Sequence, residues 1–308
     1  MKVLVTGGSG LVGHAIQKLY PNFTYLSSKD VDLTDYNKTK EFFENFQPTH
    51  VIHLAAMVGG LFKNMKNNVE MFENNLFINT NVIKCSHAVG VKRLVACLST
   101  CVYPDKVTYP ITEDQFHSGE PHSSNYGYAY AKRMLEVQCR SYNEQYGTEY
   151  ICVIPTNIYG PHDNFSLEDG HVIPALIHKF HLAKSTDKIL ILPGTGSAKR
   201  QFISSNRVAK LMTTLLFKNK IQKNNFNLCE NENFEITIAE LVDKISKVYN
   251  YNNFVFDRTS SDGQLKKTAS NEKIKEELPE FFEDDEDDFD YNLQETINWF
   301  LLNYSSCT

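Results

Sequence analysis

The sequence predicts an α/β protein, a Rossmann-type doubly wound parallel sheet joined to a smaller C-terminal α/β lobe that closes over a substrate. Three observations predict it. A glycine-rich segment, Gly7-Gly8-Ser9-Gly10-Leu11-Val12-Gly13, lies between an apolar strand and a helix. Apolar runs and helix-period stretches then alternate as far as about residue 155, which implies right-handed parallel crossovers. After Pro155 shorter elements stand among loops rich in Pro, Gly, Asn and His, at 155–174 and 193–200. Residues 1–155 are therefore expected to form the dinucleotide-binding domain and 156–308 mainly the substrate lobe, with a strand and helix returning to the first domain near 200–230.

In chain order, Lys2 to Thr6 reads as a buried strand, Gly7 to Gly13 as a tight turn and His14 to Tyr20 as a helix. Phe23 to Leu26 begins a second strand, Thr39 to Phe46 has helical period, and His50 to Leu54 is a third strand that runs into Ala55-Ala56. Asn68 to Val89 is a long helix and Arg93 to Leu98 a fourth strand. No internal repeat is visible. Glu280 to Asp290 is an acidic run containing aromatic pairs; it reads as a solvated loop or as an acidic patch for a partner.

A chain of 308 residues, 42% of them apolar, is long enough for a sizeable core. The net charge of -6 and the lack of a basic stripe argue against a nucleic-acid partner. Seven scattered cysteines without a Cys-x-x-Cys pair suit reduced thiols in the cytoplasm better than a disulfide framework or a zinc site. Met1-Lys2 leads directly into a strand, and no apolar run approaches the roughly 18 residues of a membrane span, so neither export nor membrane insertion is expected.

The glycine segment has the spacing of a phosphate cradle. Glycines allow the turn and the close approach of a pyrophosphate to backbone N–H groups at a positive helix end. The end of the second strand discriminates between cofactors. NAD sites place a carboxylate there for the ribose 2′-hydroxyl, whereas Ser27-Ser28-Lys29 offers two hydroxyls and an ammonium, which suit the 2′-phosphate of NADPH. Asp30 is the nearest acid. Asp32 and Leu33 are placed to meet the adenine edge, and Leu54-Ala55-Ala56 lies at the tip of the third strand.

Tyr128 and Lys132 are four residues apart, on one helical face. Ser99 follows the fourth strand, at the carboxyl edge where ligands bind. A phenol of pKa about 10 is a reluctant acid-base group; a neighbouring ammonium is expected to lower that pKa, while a serine hydroxyl shares the carbonyl oxygen of the substrate.

Ser99-Thr100-Cys101-Val102-Tyr103-Pro104, Tyr128-x-x-x-Lys132 and Pro155-Thr156-Asn157-Ile158-Tyr159-Gly160-Pro161-His162-Asp163-Asn164-Phe165 together resemble the extended short-chain dehydrogenases, and more narrowly their epimerase-reductase branch that makes GDP-L-fucose. The likeness runs from residue 1 to about 270, through Gly170-His171-Val172-Ile173-Pro174 and Ser261-Asp262-Gly263. It implies the use of NADPH to reduce GDP-4-keto-6-deoxy-D-mannose at C4 after epimerisation at C3 and C5, and with the apolar faces of the long central helices it suggests a homodimer. A ketone at C4 makes both neighbouring hydrogens acidic. Cys101, from a free thiol pKa of about 8.5, is expected to be the base, and His171, titrating near neutrality, the acid. By the same resemblance Pro155, Asn157, Ile158 and His171 face the cofactor, Asn157 meets the substrate near the nicotinamide, Lys179 and Arg200 pair with the diphosphate, and Asp262 holds a ribose hydroxyl.

The chain departs from the pattern at Pro193, where many relatives place a tryptophan before Gly-x-Gly, and in the acidic run after Pro279. Three rivals remain. A nucleotide-sugar 4-epimerase needs neither Cys101 nor His171. A 4,6-dehydratase would carry an Asp-Glu pair where Thr100-Cys101 stands. A non-catalytic NADP sensor would have little use for Tyr128 with Lys132.

Overall fold

The computed structural model describes residues 1–231, 234–260, 265–284 and 287–307. Its centre is a parallel sheet built from β1 (Val3–Thr6), β2 (Thr24–Leu26), β3 (His50–His53), β4 (Arg93–Cys97) and β5 (Glu149–Pro155). β6 (Asn157–Tyr159), β7 (Leu190–Pro193), β8 (Lys199–Arg200) and β9 (Phe202–Ser204) follow, then β10 (Asn225–Leu228), β11 (Ile236–Thr237) and β12 (Phe254–Asp257). The helices are α1 (Leu11–Leu19), α2 (Tyr36–Phe46), α3 (Leu61–Lys66), α4 (Asn68–Ala88), α5 (Tyr126–Tyr146), α6 (Val172–Thr186), α7 (Ser205–Phe217), α8 (Ile238–Tyr249), α9 (Glu272–Glu277), α10 (Pro279–Asp284) and α11 (Phe289–Cys307).

The six-stranded sheet has the order β10-β5-β4-β3-β1-β2, all pairs parallel. A parallel sheet is covered on both faces, so its strands are apolar at nearly every position. Leu4 packs on one face with Phe43, Val51, Ile83, Leu94 and Tyr150. Val3 and Val5 pack on the other with Ile16, Ile52, Val95, Val153 and Leu211. A third core, including Phe165, Ile177, Phe180, Leu241, Ile245 and Phe300, is formed by α6, α8 and α11 around the short pairs β6/β9 and β7/β12.

Most element ends differ from the sequence reading by a residue or two, as expected where ends fray. The start of α1 matters more. Gly10 is the N-cap in extended conformation, so Leu11, Val12 and Gly13 form the first helical turn and not part of a loop. The acidic run is not a free solvated loop either. α10 sets Phe281 and Phe282 against the Arg207 guanidinium, at 4.3 and 5.2 Å. Asp287 accepts hydrogen bonds from the Ser204 N–H and hydroxyl, and Asp290 pairs with Lys244 at 2.6 Å. The aromatics and these carboxylates thus strap the segment to α7, β9 and α8. Among the described residues no helix is long and apolar enough to cross a membrane.

Candidate active site

The phosphate cradle is shaped by its glycines in two ways. Gly7 has φ +71°, and a Cβ there would lie 2.7 Å from the Ala55 nitrogen. A Cβ on Gly13 would lie 2.4 Å from the Gly8 carbonyl oxygen. Both are demanded by the protein itself. Gly10 is different: an added Cβ would meet only the Gly7 oxygen, at 3.4 Å. The chain alone would tolerate a side chain there, so the space over Gly10 is left open for a ligand to approach the backbone. Gly10 caps α1 without a side-chain hydrogen bond, and no acid lies in the first turn. The first N–H groups and the positive helix end are thus left for a phosphate, and these residues fit the pyrophosphate of a dinucleotide.

After β2 the chain turns tightly. Asp30 accepts from the Ser27 N–H at 2.8 Å and hydroxyl at 2.6 Å, and these bonds hold its carboxyl below the usual range. The carboxylate is bent back onto Ser27, while Ser28 and Lys29 are exposed. Asp32 is tied to Thr34 by two bonds that likewise depress its pKa. Leu33 is buried beside it, its carbonyl accepting from Asn81.

The catalytic candidates converge at the carboxyl end of β4. Ser99 caps a 3-10 turn, Thr100–Val102, and its oxygen accepts from the Cys101 N–H at 3.4 Å. On α5, Lys132 Nζ donates to the Cys97 carbonyl at 2.7 Å and lies 5.8 Å from the centre of the Tyr128 ring. These contacts put the strand end, Cys101 and both helical residues into one electrostatic neighbourhood.

The titration behaviour departs from the sequence expectations. Burial pushes the Tyr128 phenol well above its usual pKa, and the Cys101 and Cys97 thiols add to the rise. The expected lowering by Lys132 does not prevail, because its ammonium is buried, itself lowered, and bonded to the Cys97 carbonyl. Burial also raises the Cys101 thiol, opposed first by Lys267 and then by the bond to Ser99 and by Lys132. His171, N-cap of α6, is reached by solvent yet crowded by protein, which lowers its imidazole pKa. Thus thiol, phenol and imidazole are all held toward their neutral forms.

The proposed substrate contacts are more dispersed. Asn157, on β6, donates its amide to the Gln201 carbonyl at 2.8 Å. Ile158 is half-buried beside it and Pro155 ends β5. Lys179 is half-exposed on α6. Arg200 is half-buried on β8, donates to the Lys199 carbonyl, and has its pKa lowered by burial. Asp262 lies outside the described residues, as do Ser261 and Gly263. The sequence reading missed Lys267. Burial, opposed by Cys101 and reinforced by Arg200, lowers its pKa, so these three groups are electrostatic neighbours. The Lys267 segment is paired to Ile111, whose N–H donates to the Thr268 carbonyl and whose carbonyl accepts from the Ser270 N–H.

The loop from Gly160 to His171 borders the cradle. His162, at φ 67°, stacks on His14 of α1 with centroids 3.9 Å apart, and its other neighbour is Trp299 of α11 at 4.5 Å. Asp163 Oδ2 is buried without a hydrogen-bond partner among the described residues, and burial pushes this carboxyl up to about 7.

A parallel sheet with a glycine cradle at its carboxyl edge and a Ser, Tyr and Lys set beside it defines a nucleotide-cofactor oxidoreductase. The chain belongs to the NAD dependent epimerase/dehydratase family, whose model it matches over residues 3–229. It is 47% identical over 312 residues to the GDP-L-fucose synthase of Dictyostelium discoideum, covering 99% of this chain and 96% of the relative. It is 43% identical to a probable GDP-L-fucose synthase of Drosophila melanogaster, over 98% of both chains. A crystal structure of a GDP-L-fucose synthetase from Naegleria fowleri bound to NADP superimposes with a TM-score of 0.91 at 42% identity, covering 99% of this chain and 93% of that one.

Proposed function

We propose that the protein is an NADPH-dependent epimerase-reductase that converts GDP-4-keto-6-deoxy-D-mannose into GDP-L-fucose. The observation that carries this reading is the near-full-length likeness to GDP-L-fucose synthases, with Cys101 beside Ser99 at the site. The Cys101 thiolate removes the proton from C3 or C5, and the negative charge moves to the C4 oxygen, where Ser99 and Tyr128 hydrogen-bond it. His171, once protonated from solvent, returns a proton from the opposite face, inverting the carbon; the thiol then gives up the proton it took, so no net proton is consumed. Bound NADPH supplies hydride to C4. Tyr128 then protonates the C4 oxygen, so one NADPH and one proton are consumed. A phenol kept neutral by burial is in the form that donation requires. Lys132 would orient the cofactor ribose and Tyr128, and Arg200 with Lys179 and Lys267 would neutralise the diphosphate.

The cofactor preference follows from Ser28 and Lys29 at the 2′-position. A 4-epimerase holding NAD would present a free carboxylate there, whereas Asp30 is engaged by Ser27. We place the protein in the cytoplasm on its seven free thiols. A homodimer fits the exposed apolar residues in register on two neighbouring helices, Val69 and Phe77 on α4 and Tyr126 and Met134 on α5. NMR analysis of the product formed from GDP-4-keto-6-deoxy-D-mannose and NADPH tests the reading. GDP-L-fucose is expected; a C4-reduced sugar with unchanged C3 and C5, or no NADPH oxidation, overturns it.

A further inference from the structure

A chain of polar groups crosses the apolar interior beneath the active site. Thr6 ends β1 immediately before Gly7, and His53 ends β3 in register with it. The Ala55 N–H donates to Thr6 Oγ1 at 3.4 Å, and Thr6 Oγ1 lies 2.7 Å from His53 Nδ1. His53 Nε2 lies 3.0 Å from Asn79 Oδ1 on α4, and Asn79 Nδ2 reaches the Ala131 carbonyl on α5 at 3.5 Å. Ala131 immediately precedes Lys132 in the chain. The three polar side chains are almost fully buried, at 0% exposure for Thr6 and 1% each for His53 and Asn79.

The hydrogen-bond partners fix the tautomer. Asn79 Oδ1 only accepts, so His53 Nε2 carries the proton and Nδ1 accepts from the Thr6 hydroxyl. Burial, followed by the nearby Lys132 ammonium, pushes the imidazole down to about 3, so it stays neutral in the working range. Val51 and Ile52, the preceding strand residues, are fully buried and apolar. Buried polar groups are tolerated when they are paired, and pairing here demands one orientation of three elements.

We propose that His53 is a positioning residue that fixes the phosphate cradle relative to the Lys132-bearing turn of α5, its Nδ1 end serving the cradle and its Nε2 end the catalytic helix. Thr6 and Ala55 flank Gly7, where a shift moves the cofactor. Asn79 and Ala131 adjoin Lys132, where a shift moves the ammonium and Tyr128. Hydride transfer tolerates little error between the two. This inference rests on the proposed catalytic roles of Tyr128 and Lys132.

The two ends can be separated, because an asparagine amide reproduces the Nδ1 position of histidine and a glutamine amide the Nε2 position. His53→Asn keeps an acceptor for Thr6 and loses the donor to Asn79. It is expected to bind NADPH within about twofold of wild type by fluorescence titration, yet to oxidise it roughly tenfold more slowly with the GDP-4-keto sugar. His53→Gln keeps the donor and loses the acceptor, and the reverse split is expected: a dissociation constant raised about tenfold with kcat within about twofold. Thr6→Val and Asn79→Ala supply the same two arms should either histidine variant fail to fold; Thr6→Val is expected to match His53→Gln, and Asn79→Ala to match His53→Asn. Variants that change the same parameter together, or that alter melting temperature alone, overturn the proposal. Wild type is assayed alongside: its failure to turn over the sugar would count against the proposed function, whereas an unsplit response in an active enzyme counts against His53 alone.

Discussion

Along the cofactor wall of the cleft, the groups that matter sit where the backbone puts them. The cradle N–H groups follow from the start of α1 at Leu11, Ala55 lies against Gly7, and Ser99 is carried by the end of β4. The proposed diphosphate contacts form a second wall of long side chains from unrelated places: Lys179 on a helix, Arg200 on a two-residue strand, and Lys267 on the segment that Ile111 holds through Thr268 and Ser270. The first wall is rigid and general, because any dinucleotide presents the same pyrophosphate. The second is adaptable, because small changes in a loop re-aim a flexible cation. A family can therefore keep one pyrophosphate cradle while its substrates diverge.

The sharpest test of this contrast removes chemistry without touching either wall. Tyr128→Phe is expected to slow NADPH oxidation by about 10²–10⁴-fold while the dissociation constant for NADPH stays at the wild-type value. Cys101→Ser should reduce solvent deuterium exchange at C3 and C5 by roughly 10²-fold or more and leave slow reduction of the unepimerised ketone. Because burial raises the Cys101 pKa, the thiolate fraction grows on the alkaline side, so wild-type exchange should climb with pH above neutrality. A flat exchange profile removes Cys101 from the role of base.

Arg200→Ala probes the adaptable wall: KM for the GDP-sugar should rise about tenfold, with NADPH binding unchanged. Gly10→Ala and Gly13→Ala probe the rigid one. Gly10→Ala should weaken NADPH about tenfold, equivalent to ~1.4 kcal/mol, with an unaltered melting temperature. Gly13→Ala should lower the melting temperature, since its Cβ collides with protein. Identical behaviour of the two variants breaks the distinction between ligand-imposed and protein-imposed glycine. The smallest effect concerns Asp163. Its folded pKa of about 7 exceeds the ordinary carboxyl value of 3.8, so the native state binds more protons between those values and loses stability as pH rises through that window. Asp163→Asn should therefore melt higher than wild type at pH values near 8, by about 2–4 °C for each ~1 kcal/mol recovered, and no higher near pH 4.

What could be read from the sequence divides along the same line. The parallel sheet, the cradle and the Ser99, Tyr128 and Lys132 set were legible because strand ends, glycines and helical spacing are local features. The onset of α1 was misplaced because Gly10 caps the helix without the hydroxyl or carboxylate that normally marks a start. The titration direction of Tyr128 was misjudged, and Cys101 and His171 were read at their free values, because desolvation depends on what the rest of the chain packs around them. Lys267 neighbours Cys101 electrostatically although the two residues are far apart in the chain, so nothing local in the sequence pairs them. His53 read simply as strand, since nothing local reveals that Thr6 and Asn79 flank its ring.

The sequence holds one tryptophan, and Trp299 stands at the end of the stack that runs through His162 to His14. The protein thereby carries its own optical reporter, one lamp on the C-terminal helix beside an imidazole of the loop that borders the cradle. Dihydronicotinamide absorbs where indole emits, so arrival of the reduced cofactor dims that lamp by energy transfer while the oxidised form does so far less. Occupancy of the cradle by the reduced cofactor is thus readable in real time from an unlabelled, unmutated chain.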